Sequence, residues 1–425
     1  MSASRTVAMS RSALPGVVIL GGAHNALALA RSFGRKGVPV ALVTDDHPLP
    51  TYSRYVDRCF AWHGAASGDA AKWLVDLAAR NSFQNWLLLA CADLEVKLVA
   101  ENRSLLHKSF QILGNEWKDL QHLCDKQLLS QAAEKAGIAV PKRYDVNSVE
   151  DATGVGMEFP VILKPAMRMS RNALTSAKAW RADNRAELIE LYRKAAGLQG
   201  KDGVVVQEYI PGGGEAQFSY AALWFRNAPV AELAARRTRQ YPVDFGYTST
   251  FVEIVENDTI MEMSRNLLSS IGFEGLVEVE FKRDDRTDTY KVLDVNPRAW
   301  SWLSLCEAGG FDFATSFADI LSGNIQPVQH AELGHAWVHV SRDAVATLHL
   351  LARGKLNVGE WLAQYRQKLT YAVFSRDDPW PAVLELPITL MRIVGRMLNK
   401  EKQSAPQSSA RVASDVDPKS RMNLL

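Results

Sequence analysis

A chain of 425 residues, 47% hydrophobic and 23% charged, has material for two or three domains of ordinary globular composition. Its formal charge of +2 and the lack of any block of five or more Lys/Arg argue against a nucleic-acid binder. Cys59, Cys91, Cys124 and Cys306 are far apart and form no CxxC pair, which argues against cysteine zinc sites and disulfides and fits a reducing cytoplasm.

Residues 1–15 carry basic side chains before an apolar run too short for a secretory signal, and read as a flexible N-terminus. No stretch reaches the roughly 18–20 apolar residues of a membrane span. From Val17 the pattern is strand, helix, strand: "VVIL", then "AHNALALARSFGRKG" with Leu27, Ala30 and Phe33 on one helical face, then "VPVALVT". Such alternation predicts an α/β domain with a parallel sheet over 16–118. "GGAHNALA", with Asp45 downstream, invites a dinucleotide site. It has Gly21 and Gly22 but no GxGxxG, so a tight turn into a helix is the stronger reading.

Beyond residue 118 the chain reads as α+β. A helix is predicted over Leu120–Ala136 with Gly137 as its stop, then the strand "FPVILKP", a helix over Arg185–Ala196, "VVVQEYIPGGG" and the long strand "QFSYAALWF". "RRTRQYPVDFGYTST" reads as a basic, aromatic loop. Its Arg236, Arg237 and Arg239 are either anion-recognising or a solvated turn. A helix over Ile260–Ile271 precedes a hairpin. Residues 326–400 read as helical and 401–425 as a disordered tail. In the last helix Leu386, Ile388, Leu390, Met391, Ile393, Val394, Met397 and Leu398 form a wide apolar face. Docking on its own domain is the first reading, and a peripheral membrane contact is the second.

The hairpin "VEVEFKRDDRTDTYKVLDVNPR" gathers carboxylates. Val277, Val279 and Phe281 alternate with Glu278 and Glu280, while Tyr290, Val292, Asp294 and Asn296 are expected on one face, opposite Leu293 and Val295. A turn centred near Thr287 sets Glu280 across from Asp294 and Glu278 across from Asn296. Like charges directly opposed destabilise a sheet. A cation would relieve them, and hard oxygen ligands suit Mg²⁺; a solvated hairpin face fits these residues equally. Trp300 and Trp302 just beyond read as core rather than as a substrate platform. Upstream, Lys164 ends an apolar strand and so either meets an anion or snorkels to solvent. "VVVQEYIPGG" leaves backbone donors and acceptors beside a Pro-Gly-Gly turn.

In this order over some 170 residues, these parts resemble the ATP-grasp superfamily, in particular its carboxylate-amine ligase branch with D-aspartate ligase-like proteins. The resemblance spans about residues 15–325. It implies an α/β N-terminal parallel-sheet domain, then an α+β ATP-grasp domain over 119–325 in two subdomains, about 119–205 and 206–325, and a helical C-terminal region. It further implies ATP with Mg²⁺ or Mn²⁺, Lys126 and Lys164 on the phosphates, and Gln207, Glu208 and Ile210 at the adenine. Glu215 would meet the ribose, Glu280, Asp294 and Asn296 the metal, and Arg298 the acyl-phosphate or incoming carboxylate, with Lys164 also serving catalysis. The implied reaction is ATP-dependent joining of a small-molecule carboxylate to an amine. One departure stands out: the loop after Lys164, "AMRMSRNALTSAKA", has no glycine but has Arg168, Arg171 and Lys178, cations that would replace backbone N–H groups over phosphate. Rival readings are an ATP-binding module with weak or no catalysis, an enzyme passing the acyl-phosphate to a non-amine acceptor, and a nicotinamide enzyme, which the missing glycine pattern disfavours.

Overall fold

The computed structural model describes residues 14–45, 48–154, 156–167, 172–200, 203–244, 248–324 and 326–404, the last dozen by backbone alone. Arg168 and Arg171, most of the expected N-terminal segment and most of the expected C-terminal tail lie outside the described residues.

The first layer is a five-stranded, all-parallel sheet of β1 (Val17–Leu20), β2 (Val40–Thr44), β3 (Arg58–Ala61), β4 (Trp86–Ala90) and β5 (Phe110–Gln111), in the order β3-β2-β1-β4-β5. Helices α1 (His24–Arg35), α2 (Ala70–Asn81), α3 (Asp93–Glu101) and α4 (Arg103–Leu106) connect the strands. β1 is wholly buried because both faces are covered, the reason its sequence is continuously apolar. The turn after it needs its glycines. Gly21 and Gly22 have φ of 67° and 82°, and a Cβ on Gly22 would stand 2.7 Å from that of Cys91.

Two helices follow, α5 (Trp117–Cys124) and α6 (Lys126–Lys135). The single helix expected over Leu120–Ala136 is thus broken at Asp125, which is extended and caps α6 by accepting from the backbone N–H of Gln127 and Leu128. A small antiparallel sheet comes next, of β6 (Arg143–Tyr144), β7 (Val161–Pro165), β8 (Trp180–Ala182) and β9 (Val204–Glu208) in the order β6-β9-β7-β8. It is backed by α7 (Val149–Gly154), α8 (Ala173–Ala177) and α9 (Arg185–Gln199).

The largest sheet has eight strands: β10 (Gln217–Phe225), β11 (Ala228–Tyr241), β12 (Thr248–Val255), β13 (Gly275–Asp284), β14 (Thr289–Asn296), β15 (Gln329–His330), β16 (His335–Val338) and β17 (Lys368–Tyr371). Its order is β14-β13-β10-β11-β12-β16-β17, with β15 beside β11. Around it lie α10 (Asp258–Ser270), α11 (Ser304–Ala308), α12 (Phe313–Ser322), α13 (Val340–Ala352), α14 (Val358–Gln364) and α15 (Trp380–Ser404). Two expectations are corrected. Arg236–Gln240 lie on β11 rather than in a loop. The region from 326 is not purely helical, since β15, β16 and β17 extend the same sheet.

One continuous core joins the first layer, the large sheet and the C-terminal region, running from Leu14, Val17 and Leu27 through Leu223 and Trp300 to Trp337 and Ile388. The small sheet keeps a core of its own, formed only by residues between Tyr144 and Val206.

Candidate active site

The β13–β14 hairpin places Glu280 opposite Asp294 and Glu278 opposite Asn296. The register then slips by one residue, Phe281 pairing with Val292, so Leu293 is the extra residue of a bulge. This corrects the expected faces: Tyr290 and Val292 turn into the core with Val295, while Leu293 lines a cleft beside Asp294.

The opposed carboxylates are neutralised by three cationic side chains from outside the hairpin. Lys126, first residue of α6, lies 3.3 Å from Asp294 Oδ1. Lys178, just after α8, lies 3.3 Å from Glu280 Oε2. Its φ of 69° is one L residues rarely adopt, a local strain of the kind that clusters at functional sites. Arg237 on β11 is 2.6 Å from the same oxygen and donates to Ser249 Oγ at 2.7 Å. Although burial opposes it, Glu280 and Glu278 hold the Arg237 guanidinium firmly charged. The Asn296 amide donates to Glu278 Oε2 at 3.2 Å and Glu280 Oε1 at 3.0 Å. Glu278 also accepts from Ser219 Oγ and Trp302 Nε1, each at 3.0 Å. Burial, then Glu280, pushes the Glu278 carboxyl upward; its role here is to orient Asn296. Trp300 and Trp302 are buried, Trp302 with this one polar contact to the site.

Lys164 ends β7 on the cleft wall. Burial, then the neighbouring Lys126 ammonium, pushes its pKa down to about 7. The cleft is open to solvent and takes in about 680 Å³ of space between the protein atoms. Gln207 and Glu208 at the end of β9, with Tyr209 and Ile210 just after it, line the same cleft, as does Lys282 of β13. Gln207 is buried, and among the described residues its Nε2 has no hydrogen-bond partner. The Glu208 carboxylate is engaged by Lys291 at 2.6 Å, Arg286 at 2.9 Å and the Lys142 N–H at 2.8 Å. Lys282 donates to Gly212 O at 2.7 Å, and burial brings its pKa down to about 8. Glu215 does not line the cleft; it is exposed and accepts from the Gly213 N–H at 2.8 Å.

Arg298, after β14, pairs with Asp93 at the start of α3 and donates to Asn296 Oδ1 at 3.2 Å. Burial opposes its charge, but Asp93, Glu278 and Asp294 hold it. The three candidate arginines of β11 diverge: Arg236 donates to Glu215 O, Arg237 reaches the site and Arg239 pairs with Asp343. Sequence reasoning missed Asp93 and Lys282. The continuing alternation Glu278, Glu280, Lys282 signals the second, whereas Asp93 has no local signal.

No family model matches the chain. Among curated proteins it is 22% identical over 202 residues to the C-terminal section of the carbamoyl phosphate synthase large chain of Methanopyrus kandleri, covering 46% of this chain and 36% of that one. It is 24% identical over 224 residues to the large chain of Methanothermobacter thermautotrophicus, covering 50% and 20%. The chain thus spans well under half the length of these relatives. Among solved structures, L-amino acid ligase from Bacillus licheniformis aligns with a TM-score of 0.57 at 16% identity, covering 73% of this chain and 77% of that one. A biotin carboxylase-β-γ-ATP complex from Campylobacter jejuni aligns at 0.57 with 17% identity, covering 75% and 74%. N5-carboxyaminoimidazole synthetase from Staphylococcus aureus, complexed with ADP, aligns at 0.55 with 15% identity, covering 76% and 82%. These likenesses show that the chain has the fold these three structures share.

Proposed function

We propose that this protein is an ATP-dependent ligase joining a carboxylate to an amine through an acyl-phosphate. The observation that carries the reading is one cleft with two unlike parts. Lys126, Lys164 and Lys178 surround the Glu280–Asp294 pair at one end, and Gln207, Tyr209 and Ile210 at and after the end of β9 line the rest. Cations for phosphate, a wall for the base and carboxylates for a metal are what holding a nucleoside triphosphate requires.

Glu280, Asp294 and Asn296 offer hard oxygen donors, and the cations now countering them show how much negative charge the site must balance, so the set fits Mg²⁺ or Mn²⁺. When bound, such an ion neutralises charge on the phosphate oxygens. Lys126, Lys178 and Lys164 would present their ammonium groups to the phosphates. A substrate carboxylate oxygen attacks the γ-phosphorus, the bond to the bridging oxygen breaks and ADP leaves. The amine nitrogen attacks the acyl carbon, phosphate departs and the nitrogen gives its proton to solvent. Arg298, held by Asp93, presents donors to the oxygens that become negative in that second step.

ADP release from Mg-ATP, screened over pooled amino acids, other carboxylates and amines, tests the reading. Release should require a carboxylate pool and vanish in Glu280→Gln. Release indifferent to amine points instead to another acceptor. ATP binding without turnover in any pool points to a binding module, and full turnover in both Glu280→Gln and Asp294→Asn overturns the metal set.

For partners, the helix α15 buries Ile388 but exposes Trp380, Val383, Leu386 and Leu390 on its outer side. That stripe supports a membrane-surface contact. Cosedimentation with anionic vesicles should be seen for the wild type and lost in Leu386→Glu/Leu390→Glu. Among the described residues no helix is long and apolar enough to cross a membrane.

A further inference from the structure

Away from the cleft, three potential metal ligands meet where the first layer, the large sheet and the last helix converge. His24 is the first residue of α1, His339 follows β16 directly, and Glu385 lies on α15. His339 Nε2 stands 3.2 Å from His24 Nε2 and 3.2 Å from Glu385 Oε1. All three ligand atoms lie within 4.8 Å of one another. Metal-to-nitrogen bonds of about 2.0–2.1 Å set tetrahedral ligand edges near 3.3 Å, so two edges of such a tetrahedron are already drawn.

Ser341 Oγ lies 3.3 Å from His339 Nδ1. With Nδ1–H donating to that hydroxyl, the His339 lone pair is on Nε2. His339 then turns its Nε2 lone pair toward a second imidazole nitrogen and a carboxylate oxygen. A proton on His24 could bridge the two imidazole nitrogens, but a cation answers both of the 3.2 Å approaches to His339 Nε2, the His24 nitrogen and the Glu385 oxygen together. The imidazole rings stand at 72°, edge to face, as two ligands on one centre can.

We propose that His24, His339 and Glu385 form a Zn²⁺ site, open at its fourth position, that ties α1 and α15 to the large sheet. Two imidazoles and one carboxylate are a borderline-soft donor set that favours zinc over Mg²⁺. His24 and His339 are buried, while the Glu385 side chain keeps 18% exposure. That opening gives the ion an entry path and its fourth position a water. The bond from His339 to Ser341 is the outer-shell support that fixes a ligand's tautomer. The site is independent of the nucleotide cleft and of its metal.

The test uses full-length protein stripped with chelator, titrated with ZnCl₂ by calorimetry, and loaded with Co²⁺ for its visible spectrum. Wild type and Glu280→Gln should each take up one Zn²⁺ per chain and give the intense bands of tetrahedral Co²⁺. His24→Gln and His339→Gln should lose both signals, and Ser341→Ala should bind Zn²⁺ about 10–100-fold more weakly. Equal uptake by His24→Gln and wild type overturns the site, as does failure of folded wild type to take up Zn²⁺. Should the histidine variants not fold, weak octahedral Co²⁺ bands in the wild type, or an unchanged affinity in Ser341→Ala, overturn it as well.

Discussion

Lys164 shows how burial turns a single side chain into a pH-dependent contact. Desolvation and the adjacent Lys126 ammonium bring its pKa down to about 7, whereas phosphate oxygens favour the charged form. Above that pH the empty site has lost this proton and nucleotide must recapture it. ATP affinity should therefore fall by up to about tenfold per unit between roughly pH 7 and 9, with proton uptake visible as a dependence of calorimetric heat on buffer ionisation enthalpy. Lys164→Arg stays charged throughout and should flatten the profile; the difference from wild type separates Lys164 from Lys282, which titrates nearby. A wild-type affinity constant over this range would contradict the assignment. Arg298 makes a different demand. Its donors act on charge that develops during reaction, so Arg298→Lys should lower kcat by about 10²–10³ with the Kd for ATP unchanged, a split read directly from steady-state kinetics and titration.

At the scale of elements, legibility followed sequence distance. The pairing of Glu280 with Asp294 could be read from alternation and turn symmetry because both strands belong to one local hairpin. The bulge at Leu293 could not, since it follows from which side chains the core on one face accepts. The break at Asp125 was hidden by apolar residues that continue through it in helical spacing, although Asp before a lysine-led helix is a capping pattern. Arg239 was misread because a charged residue in a basic run looks solvated. Its partner Asp343 lies 104 residues on, and the pair is almost wholly buried, with Thr250 and Tyr365 completing the carboxylate's bonds at 2.8 Å each. Removing one member leaves a buried charge uncompensated, so Asp343→Ala should cost about 3–5 kcal/mol, measured as a lower urea midpoint. The double variant Arg239→Met/Asp343→Leu should recover most of that loss.

Across the whole molecule the arrangement of cores decides what moves. The small sheet packs on itself between Tyr144 and Val206, and the cleft lies between it and the large sheet. Ligand should thus protect β7 and β9 in hydrogen exchange more than β1 or β2; protection spread evenly over all four strands would show that the small sheet does not respond as a unit. The other core has the opposite character. Val17, Leu27 and Leu42 share it with Trp337, Val373 and Ile388, nearly the full sequence apart. During synthesis, at about 5–20 residues per second, roughly 14–55 s pass between the addition of Gln111, the last residue of that layer, and of Ile388. For that interval the earliest layer stands with part of its apolar surface uncovered, and a ribosome stalled within it would release a half-built core. The emerging α/β layer is therefore the segment of the nascent chain on which a holdase chaperone has most to cover.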